Sequence, residues 1–157
     1  DDKGALFNAM MERATLPFEC ALSRLGKADE ANVLDDLRQL VVEIFRVTET
    51  NPQARRVFEI ASLKVEFVSE MDAVRVRRRQ NQQDWMAQVQ ERIVLAQASG
   101  KIRPDAQPQV VALGLWSLMD GLIRNWMFEP DSFGLEEVGI DLVDTVLRGL
   151  RAAPAAP

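Results

Sequence analysis

Histidine is absent from the 157-residue sequence, and Cys20 is its single cysteine. The first absence removes the commonest metal ligand and general base, and one cysteine cannot build an internal disulfide framework. An enzyme would need a nucleophile with a base, or a cluster of metal ligands, and the chain offers neither. We therefore predict no catalytic residues, no metal site, no cofactor and no enzymatic activity. A reducing cytoplasm fits this cysteine usage, with Cys20 as an inert thiol rather than a redox sensor.

Long hydrophobic runs are also missing. The longest uncharged run, residues 106–119, contains Gln107, Gln109 and Ser117. A membrane span requires about 18 or more apolar residues, so this run is too short and too polar. The sequence also shows no signal peptide. The chain is therefore predicted to act in the cytoplasm without a membrane partner.

The charge balance is acidic, with a formal net charge of −5 and a pI near 4.9. Domains that grip a phosphate backbone usually carry a basic face, so this segment is not expected to hold DNA by itself. One basic run, residues 75–79, departs from this balance. On a helix its arginines point around more than half of the circumference, with Asp72 and Asp84 nearby, which predicts a solvated, acid-paired face.

Hydrophobic periodicity predicts helices over nearly the whole chain. With 47% hydrophobic and 27% charged residues, the chain can bury one good core, and its length fits a single domain. That domain is predicted to span residues 1–151, with a flexible tail at 152–157. The fold class is all-α, with helices predicted over residues 3–25 (kinked at Pro17), 34–51, 53–68, 71–98, 109–128 and 135–150.

The helix over residues 109–128 has two unlike faces that both favour burial. One face is built around Gly114, Ser117 and Gly121, whose small size lets another backbone approach closely. The last helix also has a broad apolar face, and two such helices from each of two chains would form a four-helix interface. Both faces could instead belong to an intramolecular core. The residues predicted at a homodimer interface are Gly114, Ser117, Leu118, Gly121, Asn125, Phe128, Val138, Gly139, Leu142 and Val146.

The opposite face of the same helix is bulky and carries Trp116, Met119 and Ile123. Asp120 lies among them, and a carboxylate one turn from a tryptophan on a buried face needs a partner. Arg124 or a polar group of a ligand could provide it. Aromatic and methionine side chains also make an adaptable pocket lining. This face therefore predicts a ligand pocket.

Several short motifs occur in an order that resembles a known family. They are RRVFEI at residues 55–60, EFVSEM at 66–71, DGLIRNW at 120–126 and PDSF at 130–133, after an opening DKGALF at 2–7. Together they resemble the C-terminal regulatory domain of TetR-family repressors. The branch most similar is the AcrR/TtgR type, which controls multidrug efflux pumps. The resemblance covers nearly the whole chain.

This resemblance implies a regulatory helical bundle that dimerises through its last two helices and binds hydrophobic or aromatic small-molecule inducers. It also implies a repressor of a multidrug efflux operon that releases its operator DNA when an inducer binds. The DNA would be held by an N-terminal helix-turn-helix headpiece, which is absent from this chain. The alternative is a helical dimerisation scaffold, or a small-molecule-binding protein with no DNA-binding role.

The resemblance further implies which residues line the ligand cavity. For those on the second predicted helix, plain core packing is an equally good interpretation, because aliphatic residues at helical spacing usually form core. The implied ligand-binding residues are Leu37, Val41, Ile44, Phe58, Ala61, Ser62, Trp85, Val89, Trp116, Met119, Asp120, Ile123 and Arg124.

Overall fold

A computed structural model of the chain describes Glu19, Ala21 and the ranges 32–59, 72–130 and 132–152, with side chains in the second range from Val76 onward. Several predictions fall outside these residues. They are the helix over 3–25 with its kink at Pro17, the state of Cys20, the continuation of the third predicted helix to residue 68 with Ala61 and Ser62, and the tail after Ala152.

Five helices make up most of the described ranges. They are α1 (Val33–Thr50), α2 (Pro52–Glu59), α3 (Asp72–Ala98), α4 (Pro108–Phe128) and α5 (Leu135–Leu150). Within the same ranges there is no strand, only an isolated bridge between Ile102 and Arg151. The all-α prediction is confirmed, and the predicted helix ends in these ranges lie within a residue or two of the observed ones.

The junction between α1 and α2 follows from local chemistry at Asn51. Its side-chain Oδ1 accepts hydrogen bonds from the backbone N–H of Gln53, at 3.0 Å, and of Ala54, at 3.1 Å. An asparagine in this position caps the first turn of a helix, and Pro52 fits the first helical position because its missing N–H would have no partner there. The chain therefore ends one helix and begins the next without a loop.

Gly100 ends α3 in a similarly local way. Its φ is +72°, a left-handed conformation that glycine adopts without strain. The backbone N–H of Lys101 donates to Ala96 O and that of Gly100 donates to Gln97 O, which together form a Schellman motif. The Gln97 side chain then donates to Ala106 O at 2.6 Å. This short connection returns the chain so that α4 packs along α3.

Helices α1 and α5 pack against each other in opposite directions, as three of their contacts show. Arg38 pairs with Asp144, and the Phe45 ring lies against Gly139. Near the other end of the pair, the Glu49 carboxylate accepts the backbone N–H of Leu135 at 3.1 Å and that of Glu136 at 2.8 Å. Glu49 therefore caps the N-terminus of α5 from a different helix, where negative charge is favourable.

Gly139 was predicted to lie at the dimer interface, but it lies inside the chain. The residue is buried, and a Cβ at this position would lie under 3.0 Å from three carbon atoms of the Phe45 ring. The absence of a side chain at Gly139 therefore lets α1 and α5 cross closely within one chain. The sequence pattern indicated a close approach, and the partner is α1 rather than a second subunit.

The C-terminal end of α5 is attached to the loop between α3 and α4. Arg103 N donates to Leu150 O at 2.9 Å, and Ala152 N donates to Lys101 O at 3.0 Å. Ala152 was predicted to begin a flexible tail, but its backbone is paired and its side chain is half-buried. The ordered domain therefore extends at least to residue 152.

The ion pair between Arg38 and Asp144 leads to a pH-dependent prediction. Arg38 Nε donates to Asp144 Oδ1 at 2.6 Å, and this hydrogen bond holds the pKa of Asp144 below its usual value. Both side chains are 37% exposed, so solvent weakens the pair. We expect Asp144→Asn to lower the free energy of unfolding by about 0.2–1 kcal/mol at pH 7, the range for such pairs.

That difference should disappear in acid. A lowered folded-state pKa stabilises the fold above the unfolded-state pKa, about 3.9, and the contribution is lost as the pH falls through the folded value. Urea unfolding of the wild type and of Asp144→Asn at pH 7 and pH 3 measures this. A difference that remains undiminished at pH 3 would show that the aspartate acts through packing rather than charge.

Candidate ligand-binding centre and open helix face

The centre of the domain is an aromatic pair on the seam between α3 and α4. Trp85 is fully buried and Trp116 is 8% exposed. Their ring centroids lie 5.6 Å apart with the planes inclined at 61°, an edge-to-face arrangement. Such pairs stabilise a core beyond simple area burial. The structure therefore brings together two of the predicted ligand-lining residues from different helices.

Apolar side chains from all of the first four helices surround this pair in one buried cluster. The predicted residues Val89, Met119 and Ile123 are fully buried, and Phe58 is 5% exposed. The three α1 residues for which core packing was an equal alternative are buried in the same cluster. The predicted ligand-lining residues in this cluster are Leu37, Val41, Ile44, Phe58, Trp85, Val89, Trp116, Met119 and Ile123.

Asp120 lies at the edge of this cluster between two arginines. Arg124 Nε donates to its Oδ2 at 2.7 Å, as the spacing on α4 predicted. Arg78 Nη2 donates to its Oδ1 at 2.9 Å from α3. The Asp120 side chain is 20% exposed, and burial lowers the pKa of Arg78 despite the favourable charge of Asp120. The carboxylate is thus held in a partly desolvated position next to the aromatic pair.

These contacts correct the interpretation of the basic run at residues 75–79. Arg78 is half-buried rather than solvated. Arg77 donates to both carboxylate oxygens of Glu19, which raises its pKa. The acids that pair with Arg77 and Arg78 include Glu19 and Asp120, and Asp84 accepts a hydrogen bond from Gln80. The run is acid-paired as predicted, but with acids distant in sequence.

Two tryptophans bury an indole N–H for which no acceptor lies within hydrogen-bond distance in the part of the chain that the structure describes. They are Trp85 and Trp126. Trp126 lies on α4 near its C-terminal end, and the guanidinium carbon of Arg55 lies 4.5 Å from its ring centroid. This cation–π contact joins α2 to α4. Neither Trp126 nor Arg55 is among the residues that the sequence predicted for a site.

The opposite face of α4 carries apolar and small residues that no other part of the described chain covers. Val110 is 60% exposed and Phe128 is 77% exposed. A Cβ added at Gly114 or Gly121 would meet nothing within 4 Å. The predicted interface residues on this face are Gly114, Ser117, Asn125 and Phe128, which are exposed, and Leu118 and Gly121, which are half-buried.

On α5 the predicted interface residues lie at the margin of its buried face. Leu142 is 37% exposed, and Val138 and Val146 are half-buried. With Gly139 reassigned to the contact with Phe45, these three residues remain as the α5 contribution to an apolar surface. Single exposed apolar residues are common on protein surfaces, whereas several of them on adjacent helices indicate an interaction surface.

A separate cleft of about 410 Å³ lies between α1 and the C-terminal half of α5. It contains none of the predicted ligand-binding residues, and charged side chains of both signs dominate it. The residues that line it are Leu34, Asp35, Arg38, Asp141, Asp144, Leu147, Arg148 and Arg151.

These features define an all-helical domain with a buried aromatic centre, a charged cluster at its edge and one open apolar helix face. The C-terminal region of MAATS-type transcriptional repressors, described by a TetR-type family model, matches residues 32–152. The chain is 30% identical over 155 residues to the HTH-type transcriptional regulator TtgR of Pseudomonas putida, covering 99% of this chain and 74% of that protein. It is 26% identical over 157 residues to the HTH-type transcriptional repressor BepR of Brucella suis, covering 100% and 75%.

Comparison with solved structures also shows similarity to transcriptional repressors. The crystal structure of NalD, the secondary repressor of the MexAB-OprM multidrug efflux pump in Pseudomonas aeruginosa, superposes with a TM-score of 0.78 at 25% identity, covering 96% of this chain and 74% of that one. The chain belongs to the TetR family of transcriptional repressors, in which ligand sensing is typical, and it corresponds to their C-terminal regulatory region. Its relatives are transcriptional regulators.

Among the described helices, none combines the length and hydropathy needed to cross a membrane.

Proposed function

We propose that this domain binds a hydrophobic or aromatic inducer at the α3–α4 seam and thereby controls the affinity of a repressor for operator DNA. The observation that carries the proposal is the combination of the Trp85–Trp116 pair with Asp120 held between Arg78 and Arg124. Ligand sites in proteins are mostly apolar and contain a few convergent polar groups that orient the ligand. The same combination is present here within one seam.

The apolar part of this centre would supply most of the binding energy. Removing apolar surface from water contributes about 25 cal/mol per Å², and aromatic rings offer large flat surfaces for stacking. Met119 adds a flexible side chain that can adjust to ligands of different shape. These properties support an inducer site that accepts a range of aromatic molecules.

The charged part would discriminate between ligands. Asp120 and its two arginines are partly desolvated, so electrostatic interactions with a polar ligand group are stronger there than in water. Disrupting either ion pair would leave a partly buried charge with fewer contacts. We infer that Asp120, Arg124 and Arg78 hold the polar end of the inducer.

We further propose that two chains associate through α4 and α5. The uncovered row from Val110 to Phe128 supports this, because water contact with such a row is unfavourable and a second copy of the same row would remove it. Gly114 and Gly121 would let the two α4 backbones cross closely. The interface would include Leu118, Ser117 and Asn125 on α4 and Val138, Leu142 and Val146 on α5.

This arrangement would connect the inducer to DNA through α4, which carries the ligand face and the dimer face on opposite sides. A dimeric repressor reads half-sites about 34–36 Å apart, so a small change in subunit orientation disrupts simultaneous binding. An inducer shifts this equilibrium only by its differential affinity for the two orientations. We expect inducer binding to release the operator from a headpiece that precedes this domain in the cytoplasmic repressor.

The regulated genes are proposed to encode a multidrug efflux pump. NalD is named as the repressor of such a pump, and the chain resembles it over most of its length. A broad aromatic ligand site is suited to sensing the compounds that such a pump would export. A scaffold without DNA-binding activity is the less favoured alternative, and equal operator affinity with and without saturating inducer would support that alternative.

The ligand site can be tested with N-phenyl-1-naphthylamine, an uncharged aromatic probe that accepts energy from tryptophan. We expect one probe per chain to quench tryptophan fluorescence, and Trp116→Ala to weaken binding by about 1–3 kcal/mol because a stacking anchor is removed. Trp126→Phe is the matched control and should retain the affinity. Unchanged affinity in a folded Trp116→Ala chain would return Trp116 to the plain core.

A further inference from the structure

The indole N–H of Trp85 is a donor that the fold buries without an acceptor in the described part of the chain. The side chain has 0% exposure, so water does not reach the Nε1 atom from the surface. Buried polar groups in native proteins are nearly always hydrogen-bonded, because leaving one unpaired is costly. An exception at the centre of a candidate ligand site calls for a specific explanation.

Trp85 lies close to the other residues of the candidate ligand site at the α3–α4 seam. Its ring meets Trp116 edge to face, and Trp116 precedes Asp120 by one helical turn on α4. Arg78, which binds Asp120, precedes Trp85 by two turns on the same side of α3. Seven residues of helix span about 10 Å. A molecule of two aromatic rings along the seam is long enough to reach from the ion cluster to the indole.

We propose that Trp85 Nε1 selects inducers that carry an uncharged hydrogen-bond acceptor, such as a ketone oxygen, on an aromatic frame. The proposal rests on the ligand site of the proposed function and names the ligand class that this site prefers. An indole N–H can only donate, so the facing ligand atom must accept. A methylene or an amine N–H in the same place leaves the Trp85 donor unpaired and gains nothing from it.

Trp126 supplies an internal control for this assignment. Its Nε1 is also buried without an acceptor in the described residues, but its ring lies under Arg55 and about 15 Å from Trp116 along α4, from the helical rise over ten residues. The two indoles therefore share the same chemistry and differ in location. Of the two, the Trp85 indole is the one whose ring contacts Trp116 at the α3–α4 seam.

The experiment compares benzophenone with diphenylmethane, which differ only by a carbonyl in place of a methylene. Dissociation constants are measured by displacement of N-phenyl-1-naphthylamine from the full chain. We expect the preference for benzophenone over diphenylmethane to fall by roughly 2- to 10-fold in Trp85→Phe, the effect of one neutral hydrogen bond. The preference in Trp126→Phe should equal that of the wild type.

A second measurement needs no variant of Trp85. In the ¹⁵N-labelled wild-type chain, the Trp85 indole proton should move downfield with benzophenone and not with diphenylmethane. If the naphthylamine binds but the preference is the same in Trp85→Phe, or the Trp85 proton responds equally to both compounds, the acceptor-selecting role is wrong and ligand sensing stands. Failure of the naphthylamine and both compounds to bind would overturn the ligand site as well.

Discussion

Gly121→Leu is expected to weaken self-association of the chain by about 5- to 150-fold, because overpacking a close contact costs about 1–3 kcal/mol. Within one chain a Cβ at residue 121 meets nothing within 4 Å, so a side chain can leave the helix here without a clash at its first atom. Leucine also has a higher helix propensity than glycine, by about 0.8 kcal/mol. The substitution therefore separates association from folding. Sedimentation equilibrium over nanomolar to micromolar concentrations measures the dimer dissociation constant.

Ala87→Leu on the exposed face of α3 is the control for this experiment. It adds an apolar side chain to the surface away from α4 and should leave the dissociation constant unchanged. Gly114→Leu, which also has open space around it in one chain, should act like Gly121→Leu. A wild-type chain that stays monomeric at micromolar concentration would show that the open face of α4 has another use.

Gly139→Ala is expected to destabilise the fold by about 1–3 kcal/mol or more, because the added Cβ would overlap the fully buried Phe45 ring. Gly149→Ala on the same helix should have the opposite sign. Nothing lies within 4 Å of a Cβ at Gly149, so alanine should stabilise the helix by roughly 0.5–1 kcal/mol. Urea unfolding in the Gly121→Leu background measures both effects with association weakened.

The partner of Gly139 can be identified by combining substitutions. If Phe45 causes the clash, Phe45→Leu should reduce the cost of Gly139→Ala, and the two effects will not be additive. An additive result would place the strain elsewhere in the crossing of α1 and α5. A Gly139→Ala chain that unfolds normally but fails to dimerise would instead restore Gly139 to the subunit interface.

Local chemistry made much of the fold predictable. Asn51 with Pro52, and Gly100, terminate or begin helices through groups within a few residues of themselves, so their effect is readable from the sequence. The buried face of α4 was likewise predictable, since periodicity places Trp116, Met119 and Ile123 on one side whatever they pack against. The hydrogen bond from Arg124 to Asp120 follows from spacing on the same helix.

Contacts between distant residues were decided by the tertiary structure alone. Arg78 meets Asp120 across 42 positions of sequence and Arg38 meets Asp144 across 106, and each contact depends on how one helix is aligned along another. The periodicity of a single helix fixes which side is apolar and leaves this alignment open. The capping of α5 by Glu49 was inaccessible for the same reason, as was the burial of the Trp85 indole N–H without an acceptor among the described residues.

Three glycines show what the sequence predicted and what only the tertiary structure decided. From the sequence, the small residues at 114, 121 and 139 indicated close approach of another element, because absence of a side chain within an apolar face has that use. Only the packing of α1 against α5 assigned Gly139 to Phe45 and left Gly114 and Gly121 open on the outer face of α4. A residue type determines what can come close, whereas the identity of the neighbour depends on the arrangement of all the helices, since they compete for the same buried space.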